Sequence, residues 1–218
     1  MTKKRVAVLI SGRGSNMAAL IGAAKEEAYP AQVVLVLSNR PAAAGLASAR
    51  AAGIATAVVD HAAYGKDRER FEQAMQAELE THRIELVCLA GFMRLLTPSF
   101  VRRWQGRMIN IHPALLPAFR GLHTHERALE AGVKIHGATV HFVVPEVDSG
   151  PIVAQAAVPV LDGDTPDTLA DRVLAVELRL YPLALALVAG GKVQVTGSTV
   201  NGAAAVSTAA RLIVPDEI

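Results

Sequence analysis

Short apolar runs alternate with amphipathic stretches through the first half of the chain. The segment 6–10 is a continuous apolar run, which is typical of a strand buried on both faces, and further strands are predicted at 33–37, 54–59, 86–90 and 107–112. The stretches with the length and apolar spacing of helices are 17–25, an Ala-rich segment ending near 52, 66–83 and 98–104. This alternation predicts an α/β fold with a doubly wound, mostly parallel sheet of the Rossmann-like kind.

The pattern changes in the second half. Two further apolar runs, 137–144 and 152–161, are joined only by 145–151. Because that connection is too short for a helical crossover, we expect antiparallel strands there. A long helix is expected from 164 to about 188, since proline stands near its first turn and glycines follow its end. The remainder, 193–218, has the pattern of a hairpin or a loose tail.

Composition narrows the classes of function. Hydrophobic residues make up 51% of the 218 residues, which suffices for one domain over 1–218. The net charge is +2 without a basic run interleaved with aromatics, which argues against nucleic-acid binding. The single cysteine, Cys88, excludes an internal disulfide and favours a buried thiol. The apolar runs at 6–10 and 180–188 are too short for a signal peptide and a membrane span, so we expect a soluble cytoplasmic protein without membrane contact.

A glycine-rich loop, 11–16 (SGRGSN), follows the first predicted strand. Its glycines would let the backbone approach a phosphate, which the following helix N-terminus and the Ser15 hydroxyl would hold. The alternative is an ordinary turn in which Ser15 or Asn16 caps the helix. A dinucleotide site is less favoured because the third glycine and the ribose-binding acid are missing, although Arg40 keeps an NADP-binding oxidoreductase as an alternative.

Asn110 and His112 stand where the fifth predicted strand ends at Pro113. Residues two apart in a strand point to the same face, so the amide and the imidazole would lie side by side. An amide donor beside a titratable ring suits a carbonyl on which an oxyanion develops. The alternative is a packed or capping pair.

Asp148 lies in the turn 146–151 (EVDSGP) between the two later strands. These residues form a good turn by themselves. The functional interpretation is that the turn brings the Asp148 carboxylate to His112, where it would raise the imidazole pKa and accept a proton directly or through a water.

Other reactive residues favour simpler interpretations. His123, His125 and Glu126 invite a metal site, but their spacing is not the zinc-helix pattern, and Thr124 is expected to cap a helix there. Covalent catalysis is unsupported because no serine lies in a nucleophile elbow and no base accompanies Cys88.

Five segments occur in an order that resembles the phosphoribosylglycinamide formyltransferases, within the wider 10-formyltetrahydrofolate family. They are 11–16 (SGRGSN), 90–94 (AGFMR), 110–117 (NIHPALLP), 121–125 (GLHTH) and 148–151 (DSGP), and the match runs from about 5 to 191. The resemblance implies direct transfer of a formyl group from the co-substrate 10-formyltetrahydrofolate to the amine of glycinamide ribonucleotide in purine synthesis, with no metal and no covalent intermediate.

The resemblance also implies roles for individual residues. The catalytic trio would be Asn110, His112 and Asp148. The glycinamide ribonucleotide would meet Gly14, Ser15, Asn16 and Glu177. The folate would meet Arg68, Met93, Arg94, Leu95, Leu96, Asn110, Val144, Pro145, Glu146, Val147 and Asp148. On this basis the chain divides into a phosphate-substrate half (1–105), a folate and catalytic half (106–192) and a terminal hairpin or tail (193–218).

Two positions depart from the family pattern. Pro145 removes an N–H donor from the folate loop, and Ser149 stands where glycine is common. Related tRNA formyltransferases and formyltetrahydrofolate hydrolases carry an additional domain, for which we expect no room in 218 residues. A non-catalytic ligand-binding module of the same fold remains an alternative. The sequence leaves the oligomeric state open, with a homodimer among the possibilities.

Overall fold

The computed structural model describes residues 2–202. The strands are β1 (Lys4–Ile10), β2 (Ala31–Ser38), β3 (Ala55–Val58), β4 (Leu86–Leu89), β5 (Met108–His112), β6 (Ile135–Phe142), β7 (Ile152–Pro159), β8 (Gln194–Thr196) and β9 (Thr199–Asn201). The helices are α1 (Ser15–Ala24), α2 (Gly45–Ala51), α3 (Arg68–Thr81), α4 (Pro98–Arg103), α5 (Thr124–Glu130) and α6 (Pro166–Ala189), with a short 3-10 helix at His61–Tyr64. The predicted order of elements is confirmed.

Seven strands form one sheet in the order β3-β2-β1-β4-β5-β6-β7. The first five are parallel, whereas β6 pairs antiparallel with both β5 and β7. The predicted mostly parallel sheet with antiparallel strands in the C-terminal half is therefore confirmed. The chain winds outward in one direction from β1 to β3 and in the other from β4 onward. The loops after β1 and β4 consequently lie at a topological switch point, where open α/β sheets bind ligands.

The core has two layers, one on each face of the sheet. On one face, Val8 and Ile10 of β1 pack with residues of α1 and α6, and on the other Leu9 packs with Met75 of α3. Tyr181 on α6 is fully buried, and its hydroxyl donates to the carbonyl oxygens of Leu89 and Ile109, 3.0 and 3.1 Å away. This contact fixes α6, and with it Glu177 one turn earlier, against the strand ends that carry the site.

Two further findings concern the C-terminal segment and the helices. The β8–β9 hairpin confirms the hairpin alternative for its first part, and 203–218 lie outside the described residues. Among residues 2–202, no helix has both the length and the apolar character that crossing a membrane requires.

Candidate active site

Three side chains meet beyond the carboxyl end of β5. Asn110 and His112 point to the same side of that strand, and the turn between β6 and β7 brings in Asp148. The His112 Nδ1 lies 3.4 Å from the Asp148 Oδ2, with both side chains largely buried. The structure therefore brings the Asp148 carboxylate to His112, as predicted from the sequence of the 146–151 turn.

The backbone of this turn fixes the position of Asp148. Asp148 adopts a left-handed conformation with φ 49°, and its Oδ2 accepts a 2.9 Å hydrogen bond from the Gly121 N–H. A Cβ on Gly150 would lie 1.8 Å from the Phe142 carbonyl oxygen, so only glycine fits there. Burial alone would raise the pKa of the Asp148 carboxyl, but a hydrogen bond from His141, the Gly121 N–H and the neighbouring imidazoles outweigh it and lower that pKa. Asp148 is consequently a carboxylate at neutral pH.

A fourth side chain, His141, was missed by the sequence analysis. It lies on β6 directly opposite Asn110, and its Nε2 is 3.2 Å from the Asn110 Nδ2 and 3.7 Å from the Asp148 Oδ1. Its Nδ1 donates to the Phe142 carbonyl at 2.9 Å. The His141 Nε2 can therefore accept from the Asn110 amide, and it lies within ion-pair distance of Asp148.

The 11–16 loop joins β1 to α1 and is held close to α2. Gly14 has φ +78°, and a Cβ there would lie 3.1 Å from the Gly45 Cα. Within residues 2–202, no side chain caps α1, so the alternative that Ser15 or Asn16 caps it is wrong. The Asn16 amide instead donates to the Glu177 Oε2 at 2.7 Å. Burial raises the pKa of the Glu177 carboxyl, and the Asn16 hydrogen bond partly offsets this.

The loop between β4 and α4, residues 91–97, is held by Ser11 at the end of β1 and by two side chains of α3. The Met93 N–H donates to the Ser11 Oγ at 2.8 Å, and Arg68 Nη2 donates to the Leu95 carbonyl at 2.5 Å. The Thr97 N–H donates to the buried Glu72 carboxylate at 2.6 Å. Arg68, predicted only from the resemblance, is thus placed beside the 91–97 loop.

Exposed apolar side chains mark the same region. Met93 and Leu95 are 58% and 66% exposed, and Val147 of the 144–148 loop is 51% exposed. Arg94, Leu96 and Val144 are half-buried, whereas Pro145 and Glu146 are exposed. Exposed apolar residues on loops beside a buried polar cluster are typical of a ligand surface.

Comparison with known proteins shows the family of this chain. The model of the formyl transferase family, Formyl_trans_N, matches residues 4–185. The chain belongs to this formyl transferase family. It is 45% identical to phosphoribosylglycinamide formyltransferase of Escherichia coli, over 87% of this chain and 89% of that protein. The solved structure of glycinamide ribonucleotide transformylase 1 from Symbiobacterium toebii has a TM-score of 0.88 and 46% identity, covering 92% of this chain and 94% of the other.

A longer relative shares the same region. The chain is 53% identical to the human trifunctional purine biosynthetic protein adenosine-3 over 88% of its own residues. It spans 19% of the length of that protein, so only one part of the trifunctional relative corresponds to this formyl transferase chain.

The pKa of His112 in this formyl transferase is set by opposing effects. Its Nε2 lies 3.0 Å from the Phe119 carbonyl oxygen and its Nδ1 faces Asp148, so both nitrogens face acceptors. Burial nevertheless lowers the pKa of His112, and the Phe119 carbonyl and the Asp148 charge offset this only in part. Asp148 therefore raises the pKa of His112, as the sequence predicted, but burial outweighs this effect and the net shift is downward.

The remaining candidate residues of the formyl transferase have structural roles. His123 occupies the cap position of α5 in a left-handed conformation with no side-chain cap bond among the described residues, so the predicted Thr124 cap is wrong. The His125 ring packs edge-on against His136 at 5.4 Å. Across residues 2–202, no three His, Cys, Asp or Glu side chains converge as metal ligands. Cys88 is buried, and burial raises the pKa of its thiol to about 12, as expected of a packing residue.

Proposed function

We propose that this formyl transferase moves a formyl group from 10-formyltetrahydrofolate to the amine of glycinamide ribonucleotide in purine synthesis. A bond forms between the amine nitrogen and the formyl carbon, the bond from that carbon to the folate N10 breaks, and the amine proton passes to N10. The main support is the cluster of Asn110, His112 and Asp148 beyond β5, in a chain with phosphoribosylglycinamide formyltransferases among its relatives.

The acceptor is assigned to the 11–16 loop. A phosphate at Gly14, Ser15 and Asn16 would receive main-chain N–H groups and the positive end of the α1 dipole. Gly14, with φ +78° and close packing against Gly45, gives the loop a backbone conformation that residues with a side chain rarely adopt. Glu177, held by Asn16 and buried, would meet the glycine end of the acceptor, where a positively charged amine stabilises its carboxylate.

The folate is assigned to the 91–97 and 144–148 loops. Main-chain groups of these loops would bind the pterin by hydrogen bonds, and Met93, Leu95 and Val147 would pack on its apolar parts. Arg68 lies at the same loop with its guanidinium on the Leu95 carbonyl. Pro145 offers no N–H, so the hydrogen bonds must come from its neighbours.

The catalytic cluster would stabilise the oxyanion and move the proton. The Asn110 amide and the His112 ring would donate to the oxyanion, and one well-placed donor contributes roughly 3 kcal/mol. The His112 Nε2 is engaged by Phe119, which leaves its Nδ1 side for the substrate. The Phe119 carbonyl can only accept, so a neutral His112 carries its proton on Nε2, and its Nδ1 would donate to an oxyanion only after the ring takes up a second proton. The 3.4 Å to Asp148 exceeds a normal hydrogen bond, which leaves that N–H available. The negative charge of an oxyanion would raise the pKa of His112 during the reaction, and Asp148 would accept the amine proton directly or through a water.

The proposal is tested by incubating the protein with 10-formyltetrahydrofolate in the presence and absence of glycinamide ribonucleotide. Deformylation of the folate that depends on the acceptor supports the proposal. Formate release at the same rate without acceptor would instead identify a hydrolase, and tight binding of NADPH with no folate turnover would identify an oxidoreductase. The proposed partners are these two small molecules, and the proposed compartment is the cytoplasm.

A further inference from the structure

Ser11 connects the two loops to which the proposed function assigns the two substrates. It is the first residue of the 11–16 loop and is nearly buried at the carboxyl end of β1. Its Oγ accepts a 2.8 Å hydrogen bond from the Met93 N–H, and its own N–H donates to the Gly91 carbonyl at 3.1 Å. Two hydrogen bonds therefore join the 11–16 loop to the backbone of the 91–97 loop.

Asn39 fixes the direction of the Ser11 hydroxyl. It is fully buried after β2, and its Oδ1 accepts the Ser11 O–H at 2.5 Å. A hydroxyl has one proton to donate, so with that proton on Asn39 the Ser11 lone pairs face the Met93 N–H. The His61 ring holds Asn39 in turn, 3.2 Å from its Nδ2 and 2.8 Å from its carbonyl oxygen.

We propose that Ser11, oriented by Asn39, is a positioning residue that couples the two substrate sites. The coupling rests on the proposed function for the identity of the ligands. A phosphate bound at the N–H groups of residues 14–16 restrains the 11–16 loop, and Ser11 passes that restraint to the Met93 backbone. Binding of the acceptor then raises the affinity for the folate, and by linkage the folate raises the affinity for the acceptor by the same factor.

Ser38 provides a matched control. It is also fully buried at the end of a neighbouring strand, but its hydroxyl hydrogen bonds within residues 2–202 stay in its own segment, to the Arg40 carbonyl at 2.9 Å and the Arg40 N–H at 3.0 Å. Ser38→Ala thus removes a buried hydroxyl of the same kind without touching the 91–97 loop.

The experiment measures the Kd of tetrahydrofolate, which has no formyl group to transfer, with and without saturating glycinamide ribonucleotide. We expect the acceptor to lower this Kd about tenfold in the wild-type protein and in Ser38→Ala. In Ser11→Ala the ratio should fall towards one, while the Kd of the acceptor measured alone stays unchanged. Amide hydrogen exchange at Met93, measured without ligand, should become faster in Ser11→Ala and not in Ser38→Ala.

Each other result has a definite meaning. The coupling would be overturned if the acceptor leaves the tetrahydrofolate Kd of the wild-type protein unchanged, or if Ser11→Ala keeps the wild-type ratio of the two Kd values. It would also be overturned if Ser11→Ala weakens the binding of both ligands equally. The proposed function would stand in each of these cases. If the wild-type protein binds neither ligand, the proposed function fails and the coupling fails with it. Ser11→Thr, which keeps the hydroxyl, should restore the wild-type ratio if the variant is folded.

Discussion

Asn16 and Glu177 are 161 positions apart in the chain, yet the Asn16 amide donates to the Glu177 carboxylate at 2.7 Å. The contact joins the first turn of α1 to the middle of α6 across the carboxyl edge of the sheet. Glu177 is almost completely buried, and a buried carboxylate is costly unless it is paired. A charge kept in such a place, next to a loop suited to phosphate, indicates a role in binding rather than in folding.

Glu177→Gln should weaken acceptor binding without weakening the fold. Glutamine keeps the shape but removes the charge that would meet the substrate amine, so the KM for glycinamide ribonucleotide should rise about tenfold or more. Because burial already raises the pKa of Glu177, loss of its charge should not lower the free energy of unfolding at pH 7. Steady-state kinetics and thermal unfolding measure the two effects. A raised folate KM with an unchanged acceptor KM would contradict the assignment.

His112→Ala and Asp148→Ala should each reduce kcat by about two orders of magnitude or more, as expected when acid–base catalysis is lost. Both side chains lie at the edge of the core, so the circular dichroism spectrum should remain that of the wild type. Ser149→Ala removes an exposed hydroxyl next to Asp148 and its local hydrogen bond to the Val147 carbonyl; it is the control and should retain most of the activity. A rate close to wild type in either alanine variant would remove that residue from the mechanism.

Asp148→Asn should lower the pKa of His112 further. Burial is the main cause of its already lowered pKa, and the Asp148 carboxylate opposes that effect. Without the negative charge of Asp148, one of the effects that raise the His112 pKa is lost, so the imidazole should lose its proton at a lower pH than in the wild type. An NMR titration of the ring nitrogens measures this shift. Glu126→Gln, which neutralises a half-buried acid on α5, should leave the titration of His112 unchanged, and a raised His112 pKa in Asp148→Asn would refute the arrangement.

The sequence predicts the sheet well because the inner parallel strands, such as β1 and β4, are largely buried on both faces and consist mainly of apolar residues. Asn110 and His112 could also be found, since two residues at a strand end must share a side. His141 could not, because it faces Asn110 only through the antiparallel register of β5 and β6. That register depends on the pairing of distant segments and not on any local pattern.

The errors at individual residues also have physical causes. Charge proximity alone suggests a cationic His112, but the depth of burial that lowers its pKa depends on the packing of distant segments. Ser15 and Thr124 are good capping residues by type, yet Gly14 and His123 adopt left-handed conformations at those helix starts. At those positions the backbone conformation that the surrounding structure requires outweighs the local capping propensity.

Acid should destabilise the fold through His136. Burial lowers its pKa from 6.5 to about 4 in the folded protein. The unfolded chain therefore takes up the proton first, and this histidine lowers the free energy of unfolding as the pH falls from about 6.5 to about 4. His136→Phe should make the loss between pH 7 and pH 5 smaller by about 1 kcal/mol, measured by urea unfolding at both pH values.

A neighbouring ring provides the control for this titration. Phe119 packs edge-on against His136 at 5.7 Å and carries no titratable group. Phe119→Leu should lower the free energy of unfolding by a similar amount at pH 7 and at pH 5. Parallel pH curves for the wild type and His136→Phe would show that His136 does not contribute to acid sensitivity.

Gly150→Ala tests whether the backbone of the 146–151 turn sets the position of Asp148. The new Cβ would lie 1.8 Å from the Phe142 carbonyl oxygen, so the turn must shift and weaken the 2.9 Å hydrogen bond from the Phe142 N–H to Pro151. We expect kcat to fall at least tenfold and the free energy of unfolding to fall by about 1–3 kcal/mol. Ser149→Ala, one residue earlier and exposed, should change stability by less than about 0.5 kcal/mol. Wild-type turnover by a folded Gly150→Ala would mean that Asp148 reaches His112 without this turn geometry.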